Sequence, residues 1–259
     1  MSRLKFAACA GADFLAAVQF LTRIPLPSLP YSPDSLTRAV TFFPVVGLLV
    51  GSAAALLHLL LASHFSRLVT ALLIITFVVL LTGCFHEDGL ADTADGFGGG
   101  RSREQVLVIL KDSRIGSYGG AAVTLTLLAR VLLLASLPLA HIPQYLITAH
   151  VLCRWTTLPL SYYLAPARAQ KDDGGGGQGA RIASLTTRRT LIAGTLFSLA
   201  ISILALRAHA AAAIAAALLV TLLSGLYYQR RIGGVTGDCF GATNQLAEIA
   251  VYLTGAWIV

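Results

Sequence analysis

Apolar stretches dominate the chain, at 39–62, 67–85, 117–137, 143–164, 190–206, 209–228 and 236–258. Each comes close to the ~20 residues that a helix needs to cross the ~30 Å hydrocarbon core of a bilayer. Hydrocarbon offers no hydrogen bonds, so a crossing segment must satisfy its own backbone, and a helix does so. The expected fold is therefore all-α: a polytopic transmembrane helix bundle of about seven spans, forming a single domain over residues 1–259. Composition agrees. Hydrophobic residues make up 56% of the chain, charged residues 12%, and the mean hydropathy is +0.76. That charged share is about half what soluble domains carry. Ahead of the first span, residues 8–21 read as an N-terminal interfacial helix. Asp13 breaks that apolar run, and "FLTRIPLPSLP" is a poor signal-peptide cleavage site.

The basic residues orient the bundle. Arg3, Lys5, Arg23 and Arg38 precede the first span, and Arg101, Arg103, Lys111 and Arg114 follow the second. Arg168, Lys171, Arg181, Arg188 and Arg189 follow the fourth, and Arg230 and Arg231 the sixth. With seven spans these segments share one face, leaving Arg67 and Arg207 on the other. The positive-inside rule makes the rich face cytoplasmic, in an inner-membrane protein. The acids at 87–95, Glu104, Asp112, Asp172, Asp173 and Asp238 lie on that face too, so the active site is expected to face the cytoplasm. A glycine-rich loop at about 168–189, containing "DDGGGGQGAR", reads as flexible. Gly47 and Gly51 form a G-x-x-x-G step that permits close helix approach. Cys9, Cys84, Cys153 and Cys239 are scattered without a C-x-x-C pair, which argues against a disulfide framework or a structural zinc site.

The segment "CFHEDGLADTADGFGGGRSREQ" raises the chemical question. On a helix, Asp88, Asp92 and Asp95 are spaced i, i+4, i+7 and share one face. Like charges in a stripe destabilise a bare helix, so something positive belongs against them. A hard divalent cation suits best, and Mg²⁺ in particular takes one or two carboxylates plus substrate phosphates. Glu87 lies off the stripe but within reach of the same ion or a second one. Gly98, Gly99 and Gly100 are expected to end the helix and offer free N–H groups to an anion. Ser102 and Gln105 read as a capping box for a short cytoplasmic-side helix. That helix delivers Lys111, Asp112 and Arg114, whose cations can neutralise phosphate together with Arg101. Asp238, beside two glycines at the start of the last span, can complete the metal site. Glu248 lies deeper and needs a partner, with Arg130 or Arg154 as the available cations.

The motifs "FLTRIPLP", "FFPVVGLLVG", "EDGLADTADGFGGG", "KDSRIGSYG" and "GGVTGDCFGA" occur in this order, and the chain from Phe20 to about Tyr252 resembles the cobalamin synthase family, the adenosylcobinamide-GDP ribazoletransferases. The resemblance implies an integral membrane enzyme at the last stage of vitamin B12 assembly. Its substrates would be adenosylcobinamide-GDP and α-ribazole or its 5′-phosphate, its by-product GMP and its cofactor Mg²⁺. Glu87, Asp88, Asp92 and Asp95 fall on the first acidic motif, Lys111, Asp112 and Arg114 on the second motif, and Asp238 on the third. Asp95 or Asp112 is the expected proton acceptor. Thr22 and Arg23 fall on the N-terminal motif without an assigned role. After Ala242 the chain departs from the pattern, reading "TNQLAE". A phosphotransferase of the CDP-alcohol type shares the aspartate–Mg²⁺ logic, but its usual signature is not matched. A metal-ion transporter would need polar residues continuing through the spans. No nucleic-acid partner is expected beside the bilayer and the substrates, and homo-oligomerisation is left open.

Overall fold

The computed structural model describes residues 3–26, 38–168 and 186–257, with side chains from Ala10 onward. Residues 169–185, most of the loop read as flexible, lie outside them. The helices in chain order are α1 (Arg3–Leu21), α2 (Phe43–Leu61, entered through a 3-10 turn at Val40–Phe42), α3 (Arg67–Thr82), α4 (Phe85–Gly99) and α5 (Arg103–Ile109). They continue with α6 (Ser117–Ser136), α7 (Ile142–Trp155), α8 (Thr157–Tyr163), α9 (Arg188–Leu206), α10 (Ala210–Ile232) and α11 (Gly237–Trp257). Among the described residues the one piece of extended pairing is an isolated bridge between Pro166 and Val235.

Helix stands at each apolar stretch. By length and apolarity, Val40–Leu61, Ser117–Ser136 and Arg188–Ile232 can cross a membrane, and a fourth span results if Arg67–Thr82 and Phe85–Gly99 count together. The Arg188–Ile232 segment is 45 residues long, about twice what one crossing needs. It turns at Arg207–His209, where Arg207 adopts φ +51°. Leu191–Leu196 then faces Leu218–Gln229 across one apolar groove, so α9 and α10 run antiparallel. Helix α7 has only 14 residues, and α11 is diluted by Asp238, Asn244, Gln245 and Glu248. Leu125, Leu128 and Leu132 on α6 and Leu219, Leu222 and Leu223 on α10 stay exposed, an apolar belt suited to lipid.

The G-x-x-x-G step does what its spacing predicts. A Cβ at Gly47 would overlap the His150 carbonyl, and one at Gly51 would sit 2.7 Å from Ile147 Cα. Helices α2 and α7 therefore touch backbone to backbone. Gly47→Ala should force them apart and cost about 1–3 kcal/mol, read as a lower melting temperature in detergent. Leu49→Ala, on the exposed side of the same helix, should change stability by less than ~0.5 kcal/mol. Equal melting of the two variants would refute the close contact.

The chain bends by 88° between α3 and α4. Gly83 (φ +66°) and Cys84 (φ +60°) are both left-handed, a conformation that glycine adopts freely and other residues rarely. The Cys84 N–H still reaches the Val79 carbonyl at 3.0 Å, and Arg23 N–H donates to the Leu81 carbonyl at 2.7 Å, tying the chain after α1 to the bend. The bend carries the acidic helix off the axis of the preceding span.

Candidate active site

Helix α4 crosses α11 at a glycine pair. A Cβ on Gly89 would lie 3.0 Å from the Asp238 carbonyl oxygen, and one on Gly241 would lie 3.2 Å from Gly89 Cα. This contact brings Asp238 against the stripe of Asp88, Asp92 and Asp95. Burial first, and then the charges of Asp238, Asp88 and Asp95, push the Asp92 carboxyl up to about 7. Thr236 Oγ1 donates to Asp238 Oδ2 at 3.3 Å. Among the described residues no Lys or Arg forms an ion pair with Asp88, Asp92 or Asp238. The donors are all carboxylate oxygens, partly exposed and mutually repelling, so the set fits a hard divalent cation such as Mg²⁺.

Asp95 does more than join the stripe. Its Oδ2 accepts from Gly116 N–H at 2.7 Å and its Oδ1 from Gly119 N–H at 2.8 Å. It thereby caps the N-terminus of α6 from a neighbouring helix, where a negative charge is favoured. A Cβ at either glycine would overlap this carboxylate, so "IGSYGG" serves as a seat for Asp95. The interaction also draws the 111–116 loop to the acidic face.

Four expectations need correction. Asp95 is neither a free stripe ligand nor a free base, because the Gly116 and Gly119 N–H groups engage both its oxygens. Glu87 does not face the stripe. It is buried, and its Oε1 accepts from Arg130 Nη1 at 2.7 Å and from Gln245 Nε2 at 3.3 Å. One helical step of ~100° turns it away from Asp88 into the bundle, where Arg130 satisfies it in place of a metal. Gly98, Gly99 and Gly100 do not present a free anion nest. Helix α4 runs through Gly99, and Gly100 N–H caps onto the Gly96 carbonyl at 2.9 Å. These glycines allow close packing instead: a Cβ on Gly98 would lie 2.6 Å from the Tyr118 ring, and one on Gly100 would lie 2.7 Å from Val106 N. Asp112 is not poised as a base. Its carboxylate receives Arg114 Nη2 at 2.6 Å, and hydrogen bonds from the Arg114 side chain and backbone hold its carboxyl down at about 2.

The remaining expected residues line the same end of the molecule. Arg101 is exposed. Ser102 Oγ accepts from Gln105 N–H at 3.3 Å, the first half of the expected capping box, while Gln105 Oε1 accepts from Arg101 N–H at 2.9 Å, one residue before the N-cap. Lys111 follows α5, and Arg114 is exposed and steered by Asp112. Sequence reasoning missed two clamps. Arg103 donates to the Ile232 and Ala167 carbonyls at 2.9 and 2.6 Å. Arg231 donates to the Gly100 carbonyl at 2.7 Å and lies over the Phe97 and Tyr227 rings. In the sequence both count only toward the general positive charge of that face, and nothing in their spacing separates clamps from anchors.

Deeper in the bundle, Arg130 joins Glu87, Glu248 (3.0 Å) and Gln245 (3.1 Å). Gln245 thus belongs to a buried network although its motif departs from the expected pattern. His150, Cys153 and Glu248 place donor atoms within 4.8 Å of one another. Arg154 Nη1 already contacts both His150 Nδ1 and Cys153 Sγ, and Arg130 holds Glu248. Guanidinium groups stand where a cation would, so this cluster is read as structural.

Residues 13–256 match the family model described as cobalamin-5-phosphate synthase. Among curated relatives, an adenosylcobinamide-GDP ribazoletransferase of Vibrio cholerae is 39% identical over 93% of this chain and 91% of its own. One from Azorhizobium caulinodans is 41% identical over 95% and 96%, and one from a Polaromonas species is 38% identical over 93% and 95%. No solved structure matches the chain.

Proposed function

The chain belongs to the cobalamin-5-phosphate synthase family, and from that premise we propose that it transfers the adenosylcobinamide-phosphate group from adenosylcobinamide-GDP to α-ribazole or α-ribazole 5′-phosphate, with release of GMP. A ribose hydroxyl oxygen forms the new bond to phosphorus, the bond from that phosphorus to the GMP oxygen breaks, and the hydroxyl proton is released. The observation that carries the reading is the convergence of Asp88, Asp92 and Asp238 on one open carboxylate face, beside the loop bearing Lys111 and Arg114.

Asp88, Asp92 and Asp238 would hold Mg²⁺, with Asp95 fixing the helix that presents the first two. Mg²⁺ bound there would neutralise diphosphate oxygens and the charge that develops on leaving GMP. Lys111, Arg114 and Arg101 supply further positive charge for the phosphates. Asp112 orients the Arg114 guanidinium. Asp95, with both oxygens engaged by α6, organises the loop and is not assigned a proton-transfer role. The basic residues gathered at this end, against Arg67 and Arg207 at the other, support a site facing the cytoplasm from the inner membrane.

The test is purified protein in detergent with both substrates. GMP and the cobalamin product should accumulate together. Stripping divalent ions with EDTA should lower turnover by at least ~10²-fold, and added Mg²⁺ should restore it. Undiminished turnover in EDTA would remove the metal from the reading while leaving the transferase assignment standing.

A further inference from the structure

A cavity of about 670 Å³ opens beside the bend between α3 and α4, a size typical of small-molecule sites. Its lining includes Phe20, Thr22 and Arg23 from the end of α1, and Phe85 and Asp88 from α4. Asp88 also belongs to the carboxylate face, so the cavity adjoins the proposed metal site. Two features show that Arg23 is held here. Its N–H donates to the Leu81 carbonyl at 2.7 Å. Its side chain crosses the bare face of Gly83, where a Cβ would overlap the guanidinium stem. Thr22 Oγ1 donates to the Val18 carbonyl at 2.7 Å and accepts Ile24 N–H at 3.3 Å, fixing the backbone on either side. Yet among the described residues the Arg23 guanidinium has no carboxylate partner, and Asp88 has no basic one. Phe85 meets Phe20 edge to face at 5.1 Å and remains 41% exposed.

An unpaired guanidinium, an aromatic wall and an edge on the metal site together match an aromatic nucleoside carrying a phosphate. Resting on the transferase reading above, we propose that this cavity seats the acceptor nucleoside, with Arg23 gripping its 5′-phosphate while the ribose reaches the donor phosphorus at the carboxylate face. The donor diphosphate has other cations available, because Lys111 and Arg114 stand on the loop that the Gly116–Asp95 hydrogen bond ties to α4.

The experiment compares α-ribazole 5′-phosphate with α-ribazole, in binding by calorimetry and in GMP release, for wild type, Arg23→Ala and Arg23→Lys. Wild type should bind the phosphorylated acceptor more tightly. Arg23→Ala should shrink that preference by ~10- to 100-fold, the scale of a lost charge-assisted contact, and Arg23→Lys should retain part of it. The ratio between acceptors is insensitive to a partly misfolded sample, because both are measured on the same protein. A preference unchanged in Arg23→Ala, or a loss confined to the KM of adenosylcobinamide-GDP, overturns the proposal. Wild type that binds the phosphorylated acceptor with the expected preference but releases no GMP would instead overturn the transferase reading.

Discussion

Asp92→Asn should abolish turnover, by about 10³-fold or more, and should not lower the stability of the metal-free protein. The amide keeps the shape and removes the charge. Several kcal/mol of electrostatic stabilisation at the diphosphate depend on that charge, and each 1.36 kcal/mol is about tenfold in rate. The stability side has the opposite sign. In the folded, metal-free protein the Asp92 carboxyl is raised from 3.8 to about 7. Its contribution to stability is therefore fully present below ~4 and is lost as pH rises through 7. At pH 8 the ionised side chain repels Asp88, Asp95 and Asp238, and asparagine relieves that repulsion. The variant should melt at or above wild type at pH 8 in EDTA, by a small margin because Asp92 is only partly buried and its repulsions are screened. The same shift predicts that protons compete with Mg²⁺, so apparent Mg²⁺ affinity should weaken as pH falls below about 7, and less steeply in the variant. Measurements of GMP release, melting in EDTA and Mg²⁺ titration at pH 6 and 8 decide the matter. Near-normal turnover would sink the ligand assignment. A clear drop in melting temperature would mean that Asp92 holds the fold instead.

The helices were legible because lipid leaves the backbone no alternative, and the apolar runs set their positions within a few residues. The i, i+4, i+7 stripe was legible for the same reason: a helix makes spacing into a face. Where a side chain points beyond its own helix was not legible. Glu87 is adjacent to Asp88 in sequence, and only the presence of Arg130 from α6 and Gln245 from α11 shows that it turns inward. Asp95 looked like a third member of the stripe, but Gly116 and Gly119 claim both of its oxygens. The glycines at 98–100 suggested an anion nest, whereas Tyr118 and Val106 fill the space their missing side chains leave. In each case the deciding partner lies far along the chain, or on another element. The pairing of Glu248 with Arg130 was one of two options, and only the structure shows that Arg154 turns instead to His150 and Cys153.

That buried pairing carries the second large effect. Arg130 is fully buried and bridges Glu87 on α4, Gln245 and Glu248 on α11. Arg130→Met should cost about 3–5 kcal/mol, because two carboxylates lose their shared cation in a water-poor interior. The expected result is a sharp fall in folded yield and melting temperature in detergent. Glu87→Gln should cost much less, since an amide oxygen can still accept from Nη1 and Glu248 still balances the guanidinium. Adding Glu87→Gln to Arg130→Met should recover part of the loss, a coupling of about 1–3 kcal/mol between contacting residues. This network matters for the reaction through placement. Glu87 pins the first turn of α4 to Arg130, and Asp95 pins its third turn to α6, so the stripe between them is held at both ends. If Arg130→Met melted like wild type yet released no GMP, Arg130 would be acting on substrate, and the structural reading of the buried network would fail.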